Sequence, residues 1–340
     1  MNTYKIPHRR SGKNPKKSVS TETFRLRSAY QGRGWKPRTA ALAVELAGAG
    51  APRVNSEYKR LKAVLLYCPG REMADIKDPN AVQHLAGISP QKIRREYREL
   101  TAAFRKCGVA VHLMRTDFPR GGKKLDKYNL MYVRDLFVNT MEGAVVARMA
   151  SAARAGEEKY AAFALSRLAI PVVRTIAGKG LFEGADALWL DERTVLCAVG
   201  NRTNEEGFLQ LRATLALQGA DVLKTALGRG VQHLLGLLQI VDRKLALLRA
   251  EKAPAELRSV LKRKNFTVIP VPETDEVRLR QGLNIVTVAP RRLIMPSGCP
   301  GLKALYLKAG LSVEAEVEIS QLINGAGGLA CATGILERAV

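Results

Sequence analysis

The residues of this sequence whose types could do chemistry together are one thiol, one imidazole and three carboxylates. Cys331 lies in the segment GGLACATGIL, where small residues leave the sulfur open to a ligand. The other groups are His233 in VQHLLGLLQIV, Glu183 and Asp186 in FEGAD, and Asp135 in NLMYVRD. If the fold brings them together, they could support nucleophilic attack by the thiol and proton transfer by the imidazole.

Each of these residues also has a structural interpretation. Free cysteines are among the most buried residue types, so Cys331 alone could be a core residue. Asp135 could pair with the adjacent Arg134, while Glu183 and Asp186 could cap a hairpin turn. A lone histidine in an aliphatic segment is more often a core residue than a catalytic one. The joint occurrence of all five groups favours a catalytic site over these separate interpretations.

A repeat of about fifty residues predicts how the chain would position these groups. From Arg60 onward, the pattern of a strand, a tight turn, a strand, an amphipathic helix and a strand recurs. Each helix end is marked by Gly or Asn before a β-branched run, with LAIPVVRT as a variant that lacks the Gly. The gaps from Gly219 to Asn265 and from Asn265 to Gly310 are 46 and 45 residues. This period indicates an α/β repeat fold.

Five such units predict a closed ring of small mixed sheets, because closure hides the inner sheet edges. The predicted helix starts are Ser89-Pro90, a point near Gly156, Asn204, Pro254 and Pro300, where caps and first-turn prolines are favoured. The last strand, around Cys331, should pair with the first unit at AVLLY (63–67). We expect the first strand of each unit to face a central channel and to carry the candidate residues there.

Composition limits the class of protein. The chain has 340 residues and 46% hydrophobic content, and no apolar run reaches the roughly 18 residues of a membrane span. We expect a soluble, cytoplasmic protein with no membrane contact. The five cysteines are irregularly spaced and include no CxxC, which argues against disulfides and a zinc site. We therefore predict no metal or other cofactor, and we interpret Cys68, Cys107, Cys197 and Cys299 as structural.

The N-terminal region is strongly basic. Of the net charge of +24, residues 1–40 contribute +10, from eleven Lys or Arg and one Glu. We predict that residues 1–50 form a disordered basic arm and linker, with a short helix in AALAVELAGAGAP, and that residues 51–340 form the catalytic domain. The arm could be inert, could make weak contacts with a polyanion, or could be a transit peptide, since it is rich in Arg and Ser.

The segments NLMYVRD, FEGADALWL, NRTNEEG (201–207), HLLGLLQIV and GGLACATG resemble those of guanidino-group-modifying enzymes. This superfamily contains arginine deiminases, dimethylarginine dimethylaminohydrolases and glycine or inosamine amidinotransferases. The likeness spans roughly residues 57–338 and keeps the order of the motifs. It implies a five-bladed α/β propeller, the pentein fold, with ββαβ units around a pseudo-fivefold axis and the active site in the central channel.

The resemblance also implies roles for individual residues. Cys331 would be the nucleophile, His233 the acid and base, Glu183 its carboxylate partner, and Asp135 a ligand of the substrate guanidinium. Arg202 would bind a substrate α-carboxylate, although it could instead be an exposed arginine at a helix start. The remaining candidates for substrate binding are Asp186 and Arg134.

Departures from the motifs bear on the substrate. Leu235 stands where arginine deiminases and glycine amidinotransferases carry a second guanidinium-binding Asp, a residue that dimethylarginine hydrolases also lack. The segment Arg202-Thr203-Asn204 looks like that of dimethylarginine hydrolases. Ala185 replaces a glycine and Leu136 a proline of the superfamily motifs, and neither change should abolish the chemistry.

We therefore expect a hydrolase that acts on arginine or an N-substituted arginine through a covalent Cys-amidino intermediate. Its products would be citrulline, or a related ureido compound, and an amine or ammonia. The alternative is an amidinotransferase, which differs only in resolving the intermediate with an amine. A third hypothesis is a non-enzymatic binder, because a ribosome anti-association initiation factor shares the ring fold. A homodimer is compatible with the enzyme hypotheses.

Overall fold

The computed structural model describes residue 28 and residues 31–116 and 127–340. The chain divides into two compact units, Met1–Glu45 and Leu46–Val340. In the first unit, the guanidinium of Arg38 pairs with the carboxylate of Glu45. Most of the predicted basic arm lies outside the described residues, so its disorder and its boundary at residue 50 stay predictions.

Helices and short strands alternate along the described part of the chain. Its helices are α1 Leu42–Gly48, α2 Pro90–Lys106, α3 Glu158–Arg167, α4 Glu205–Ala216, α5 Ala255–Arg263, α6 Asp275–Arg278, α7 Pro300–Lys308 and α8 Ser320–Asn324. Its strands are β1 Leu61–Leu66, β2 Ala110–Leu113, β3 Phe137–Asn139, β4 Ala144–Val146, β5 Val172–Thr175, β6 Ala187–Asp191, β7 Thr194–Val199, β8 Asp221–Ala226, β9 Leu238–Asp242, β10 Leu245–Leu248, β11 Thr267–Pro270, β12 Val286–Ala289, β13 Arg292–Pro296, β14 Ser312–Val317 and β15 Gly334–Arg338. The short helix predicted in the linker is present as α1.

The strands of the described residues form five mixed sheets of three strands each. The orders are β15-β1-β2, β3-β4-β5, β6-β7-β8, β9-β10-β11 and β12-β13-β14. Each middle strand is antiparallel to its first neighbour and parallel to its second. A parallel partner requires a crossover connection, and α2, α3, α4, α5 and α7 supply the five crossovers. The five sheets are therefore compatible with the predicted unit of two strands, a helix and a strand, with β15 as the first strand of the first sheet.

The C-terminal strand belongs to the first sheet. The C-terminal strand β15 pairs antiparallel with β1, with Leu65 opposite Gly334 and Leu61 opposite Arg338. The strand β15 also contacts β3, and β12 contacts both β9 and β1. The turn before β6 contacts β3, and the turn before β9 contacts β6. Each sheet thus contacts two others through its first strand or the turn before that strand, except that the first sheet contacts β12 through its middle strand β1. The predicted pairing of the last strand with the first unit is present.

The helix ends follow the predicted signal. After the five crossover helices, the backbone turns into the left-handed region at Gly108, Ala169, Gly219, Asn265 and Gly310, with φ values of +73°, +55°, +72°, +57° and +74°. Glycine and asparagine tolerate this conformation best, whereas for a residue such as alanine it is unfavourable by about 1–2 kcal/mol. The LAIPVVRT variant therefore ends its helix in the same way at Ala169 without the favoured residue.

The core lies between the sheets and the inner faces of the helices. Helix α2 shows how the sequence sets this arrangement, because Ile93, Tyr97, Leu100 and Phe104 recur at helical spacing and are all buried. The hydroxyl of Ser89 caps the helix by accepting a hydrogen bond from the Lys92 amide at 3.4 Å. None of the described helices is long and apolar enough to cross a membrane.

The candidate residues lie just before the first strands of the sheets. We had predicted that they would lie within those strands. Short 3₁₀ turns at Val133–Leu136, Gly184–Asp186 and Leu234–Gly236 precede β3, β6 and β9. Cys331 lies in the corresponding turn before β15. The prediction was wrong because an aliphatic run does not show where its strand begins. The turns place polar side chains at the ends of buried strands.

Candidate active site

The imidazole of His233 is held by a carboxylate. Its Nε2 atom lies 2.7 Å from Oε2 of Glu183, and the two side chains are 6% and 0% exposed. The other oxygen of Glu183 accepts a hydrogen bond from the Ala150 amide at 3.2 Å and lies 3.5 Å from a guanidinium nitrogen of Arg202. Both oxygens of this buried carboxylate therefore have fixed partners.

Asp186 fixes the turn that follows His233. Its Oδ1 atom accepts a hydrogen bond from the Leu234 amide at 3.1 Å, and its Oδ2 atom accepts one from the Thr203 hydroxyl at 2.8 Å. Burial raises the pKa of Asp186 to about 6, although these donors and His233 oppose the shift. With both oxygens bonded to the protein, Asp186 positions the His233 segment.

The structure adds Arg154, which our reading of the sequence missed. Its guanidinium donates to Oδ2 of Asp135 at 2.6 Å and to Oε2 of Glu157 at 2.9 Å, and it lies 3.8 Å from Oε2 of Glu183. The side chain is buried, so three carboxylates surround one cation away from water. The segment ASAARAGEE belongs to no predicted strand, and a single arginine there carries no signal of its own.

Two of these carboxylates keep a free acceptor. Oδ1 of Asp135 and Oε1 of Glu157 are buried and have no hydrogen-bond partner among the described residues. Buried acceptors without partners are rare and mark places where a ligand can bind. A cation with several N–H donors would satisfy Asp135 in this position.

The thiol of Cys331 is held by a second residue that our reading missed. The side-chain amide of Asn284 donates to the sulfur at 3.1 Å. Its oxygen accepts hydrogen bonds from the amides of Ala330 at 2.7 Å and Cys331 at 3.2 Å. Asn284 lies 51 residues after His233 and 47 before Cys331, so the repeat period was a signal that could have identified it.

One cleft brings most of the candidate residues together. It is lined by Asp135, Arg154, Arg202, His233 and Cys331, with Tyr132 and residues of the 325–327 segment beside them. The thiol, the imidazole and a carboxylate therefore face a common space that a small molecule could enter. This is the convergence that the repeat predicted.

Arg134 and Leu235 lie elsewhere. The guanidinium of Arg134 donates to Oε1 of Glu57 at 2.9 Å, and both Arg134 and Leu235 line a separate cavity. The structure does not bring the Arg134 side chain into the cleft of Cys331. Only the backbone of Arg134 supports that site, because its amide donates to the Cys331 carbonyl at 3.0 Å.

The charges around the cleft set the protonation states. Burial alone would lower the pKa of His233, but the carboxylates of Asp135, Glu183 and Asp186 raise it to about 9. Burial would raise the pKa of Glu183, but the hydrogen bond from His233 and the nearby cations lower it to about 2. Burial, and then the charge of Asp135, raise the pKa of the Cys331 thiol to about 11. The free protein thus holds an imidazolium, a carboxylate and a neutral thiol.

The same groups offer a set of metal ligands. Asp135, Glu183 and His233 each present one ligand atom, all within 4.8 Å of one another. The guanidinium of Arg154 already binds Asp135, and a protonated His233 binds Glu183. These positive charges oppose a metal cation. The predicted absence of a metal stays a prediction.

Comparison with known proteins bears on the family. The model of the family described as N,N dimethylarginine dimethylhydrolase, eukaryotic, matches residues 77–333, which is most of the chain and includes every candidate residue of the cleft. This chain belongs to that dimethylarginine dimethylhydrolase family. The predicted membership in the guanidino-group-modifying superfamily is therefore confirmed. No curated protein sequence matches this member of the family.

Solved structures agree on the fold. Dimethylarginine dimethylaminohydrolase from Pseudomonas aeruginosa, a mutant in complex with citrulline, is 21% identical with a TM-score of 0.66 over 82% of this chain and 100% of its own. Inosamine-phosphate amidinotransferase from Streptomyces griseus is 19% identical with a TM-score of 0.64 over 85% and 97%. The amidinotransferase SxtG from Microseira wollei is 16% identical, with a TM-score of 0.63 over 85% and 98%. At these identities the likeness shows that this dimethylarginine dimethylhydrolase family member shares their α/β fold.

Proposed function

We propose that this protein hydrolyses the guanidino C–N bond of an N-substituted arginine of the methylated type, giving citrulline and an amine. The observation that carries the proposal is the cleft in which the Cys331 thiol, the His233–Glu183 pair and the free acceptor of Asp135 converge. Family membership narrows the substrate class to methylated arginines.

The substrate would bind as a cation. A guanidinium is planar and carries forked N–H donors, so a carboxylate in its plane holds it by charge-assisted hydrogen bonds. Oδ1 of Asp135 is buried without a partner and can accept such a bond. Arg202 lines the same cleft and would bind the α-carboxylate of the substrate bidentately.

Binding of the cation would also activate the nucleophile. In the free protein, burial and Asp135 keep the pKa of the Cys331 thiol at about 11. A guanidinium beside the sulfur neutralises the charge of Asp135 and favours the thiolate, so the thiol proton leaves to solvent when substrate binds. The protonated imidazole of His233 stabilises the thiolate in the same way. Reactivity would therefore depend on occupancy of the cleft.

The chemistry would then run in two steps. The Cys331 thiolate attacks the guanidinium carbon, a C–S bond forms, and the C–N bond to the substituted nitrogen breaks as His233 gives its proton to the leaving amine. The neutral imidazole then takes a proton from water, which attacks the amidino carbon and displaces the thiolate. The products are one ureido compound and one amine, and His233 is again protonated.

Amidino transfer is the second candidate. The fold is shared with amidinotransferases, and such an enzyme would form the same intermediate and resolve it with an amine in place of water. The absence of a carboxylate at Leu235 favours the hydrolase, because it matches dimethylarginine hydrolases and not glycine amidinotransferases.

The proposal includes the architecture and partners of the protein. We infer that the five sheets are the blades of a closed five-bladed α/β propeller, because neighbouring sheets contact one another through their first strands or the turns before them, β12 contacts β1, and β15 joins β1. Each mixed sheet of three strands with its crossover helix would be one ββαβ blade. The polyanion contact of the basic arm and a homodimer are further proposals.

The test is a substrate panel with product analysis. Arginine, monomethyl- and asymmetric dimethylarginine, agmatine and guanidinoacetate are assayed for ureido product and released amine, with and without an added amine acceptor. We expect release of dimethylamine and citrulline without an acceptor, and a covalent adduct on Cys331 by intact mass. Cys331→Ser should be inactive, whereas Cys299→Ser, a buried cysteine outside the cleft, should be active. Turnover by Cys331→Ser at the wild-type rate, or product only with an acceptor, would contradict the proposal.

A further inference from the structure

A second cavity lies behind the turns that carry the active-site residues. It has a volume of about 20 Å³ and is lined by Glu57, Arg134 and Arg338 together with Gln239, Thr287 and aliphatic side chains of the first strands. Ala330 and Thr333, on either side of the Cys331 turn, also line it. Arg134 faces this cavity while its neighbour Asp135 faces the cleft of the thiol.

The charges on the wall of this cavity do not balance. Arg134 and Arg338 are 6% and 2% exposed, and Glu57 is the acidic residue among the described residues that line the space. Oε1 of Glu57 accepts hydrogen bonds from the Arg134 guanidinium at 2.9 Å and from the Trp189 amide at 3.3 Å. Two guanidinium groups and one carboxylate leave a net charge of +1 in a largely aliphatic enclosure, which is costly without a counter-ion.

Arg338 is also short of hydrogen-bond acceptors. One terminal nitrogen donates to the carbonyl of Lys59 at 2.7 Å and to that of Thr287 at 2.9 Å. Its Nε atom is buried and has no acceptor among the described residues. Burial lowers the pKa of Arg338 to about 10, an effect that Arg134 adds to and Glu57 opposes, so the group is still charged at neutral pH. A buried N–H without a partner costs about 1–3 kcal/mol.

We propose that this cavity binds a small monovalent anion, a halide or a short carboxylate, between Arg134 and Arg338. A single negative charge balances the net charge of the wall, and the anion accepts the hydrogen bond that Nε of Arg338 does not make. Aliphatic walls suit a weakly hydrated anion better than phosphate, which would bring excess charge and need more donors than the cavity offers. The site is separate from the catalytic cleft and does not depend on the proposed reaction.

The experiment uses the full chain with chloride, bromide, formate and phosphate in turn, each exchanged for sodium gluconate at constant ionic strength. Gluconate is the reference because the aliphatic walls cannot bond its hydroxyl groups. We expect chloride, bromide and formate to raise the melting temperature by about 2–4 °C relative to gluconate. The ³⁵Cl NMR line should broaden on addition of the protein, and formate should reverse the broadening. Comparison of chloride and bromide with formate shows whether the cavity binds a halide or a short carboxylate.

Two substitutions should change the binding in opposite directions. Arg134→Gln leaves Arg338 balanced by Glu57 and should abolish both the melting shift and the ³⁵Cl broadening. Glu57→Gln raises the net charge of the wall and should increase the shift at low chloride. The matched control is Arg249→Gln, which breaks a half-buried Arg–Glu pair outside the cavity and should respond like the wild type.

Three results would overturn the proposal. The first is the absence of a chloride effect on the wild-type protein, and the second is an equal effect on all four proteins. The third is stabilisation by phosphate alone. Should Arg134→Gln fail to fold, the predicted increase in Glu57→Gln still decides the question, because a shift no larger than in the wild type contradicts the charge argument.

Discussion

Nε2 of His233 lies 2.7 Å from Oε2 of Glu183, and the pair is buried beside the thiol cleft. This contact opposes what burial would do to either group alone. Asp135, this contact and Asp186 raise the pKa of His233, and the contact lowers the pKa of Glu183, so the imidazole is protonated at neutral pH. A protonated imidazole is what the proposed reaction needs in order to release an amine.

The substitution Glu183→Gln removes the negative charge of the carboxylate and keeps the shape of the side chain. We expect the pKa of His233 to fall from about 9 toward its ordinary value of 6.5. The alkaline limb of the pH profile of kcat/KM should move down with it, because the protonated acid is lost earlier. NMR titration of the His233 ring measures the shift directly. The exposed Glu251→Gln variant is the control, and an unchanged His233 pKa in Glu183→Gln would contradict the assignment.

The same pair makes stability depend on pH. Because the pKa of His233 is raised, its contribution is full below about 6.5 and is lost as pH rises through about 9. Because the pKa of Glu183 is lowered, its contribution is full above about 4.5 and is lost as pH falls through about 2. Urea unfolding of wild type and Glu183→Gln should therefore differ most between pH 4.5 and 6.5. A difference that grows toward pH 10 would be inconsistent with this linkage.

Asn284→Asp should lower the rate at which the Cys331 thiol reacts. The substitution keeps the oxygen that accepts hydrogen bonds from the amides of Ala330 and Cys331. It replaces the NH₂ group that donates to the sulfur with a negatively charged oxygen. The thiolate loses a hydrogen bond and gains a repulsion, so we expect iodoacetamide labelling of Cys331 at pH 8 to fall about tenfold or more. Mass spectrometry of the Cys331 peptide separates it from the other cysteines. Labelling of the half-buried Cys107 is the internal control, and wild-type labelling of Cys331 would refute a role for the donor.

Arg154→Met should destabilise the fold. It leaves Asp135, Glu157 and Glu183 as buried carboxylates without the shared cation, which costs about 3–5 kcal/mol. Adding Glu157→Gln should restore part of that loss, because one uncompensated charge is removed. Urea denaturation at pH 7 measures both variants. The control, Arg95→Met, breaks an exposed pair with Glu99 and should cost only about 1 kcal/mol or less; an equal loss in both single variants would argue against the buried cluster.

Gly184→Ala should distort the turn that carries Glu183. A Cβ atom at Gly184 would overlap the backbone carbonyl oxygens of Phe137 and Arg134, which cannot move aside as a flexible side chain can. We expect a loss of about 1–3 kcal/mol and a lower kcat. Apart from its chain neighbours and its own turn, none of the described residues has an atom within 4 Å of such a Cβ at Gly236, in the equivalent turn before β9. Gly236→Ala should stay within about 0.5 kcal/mol of wild type by thermal denaturation, and equal effects at both positions would contradict the steric argument.

The repeat was readable from the sequence because its signals are local. A left-handed helix end favours Gly or Asn almost regardless of the surrounding fold, so Gly108, Gly219, Asn265 and Gly310 marked four crossovers. Hairpins and caps are set by neighbours in the chain in the same way. Once the period was known, the convergence of Asp135, His233 and Cys331 followed from equivalent positions in different units.

The remaining features depend on contacts that no local pattern encodes. Arg154 is one of 55 basic residues and lies outside the repeated strands, so only its three carboxylate partners reveal its importance. No local pattern in the sequence predicts the direction of the Arg134 side chain either. A 3₁₀ turn directs successive side chains about 120° apart, whereas a strand would alternate them, and the aliphatic sequence fits both.

The pairing of β15 with β1 has a consequence for synthesis. While residues beyond 330 are still inside the exit tunnel, β1 lacks the partner with which it pairs through Leu61–Leu65. The nascent polypeptide at that stage also lacks the thiol of Cys331, which lines the cleft. One segment therefore completes both the first sheet and the wall of the cleft.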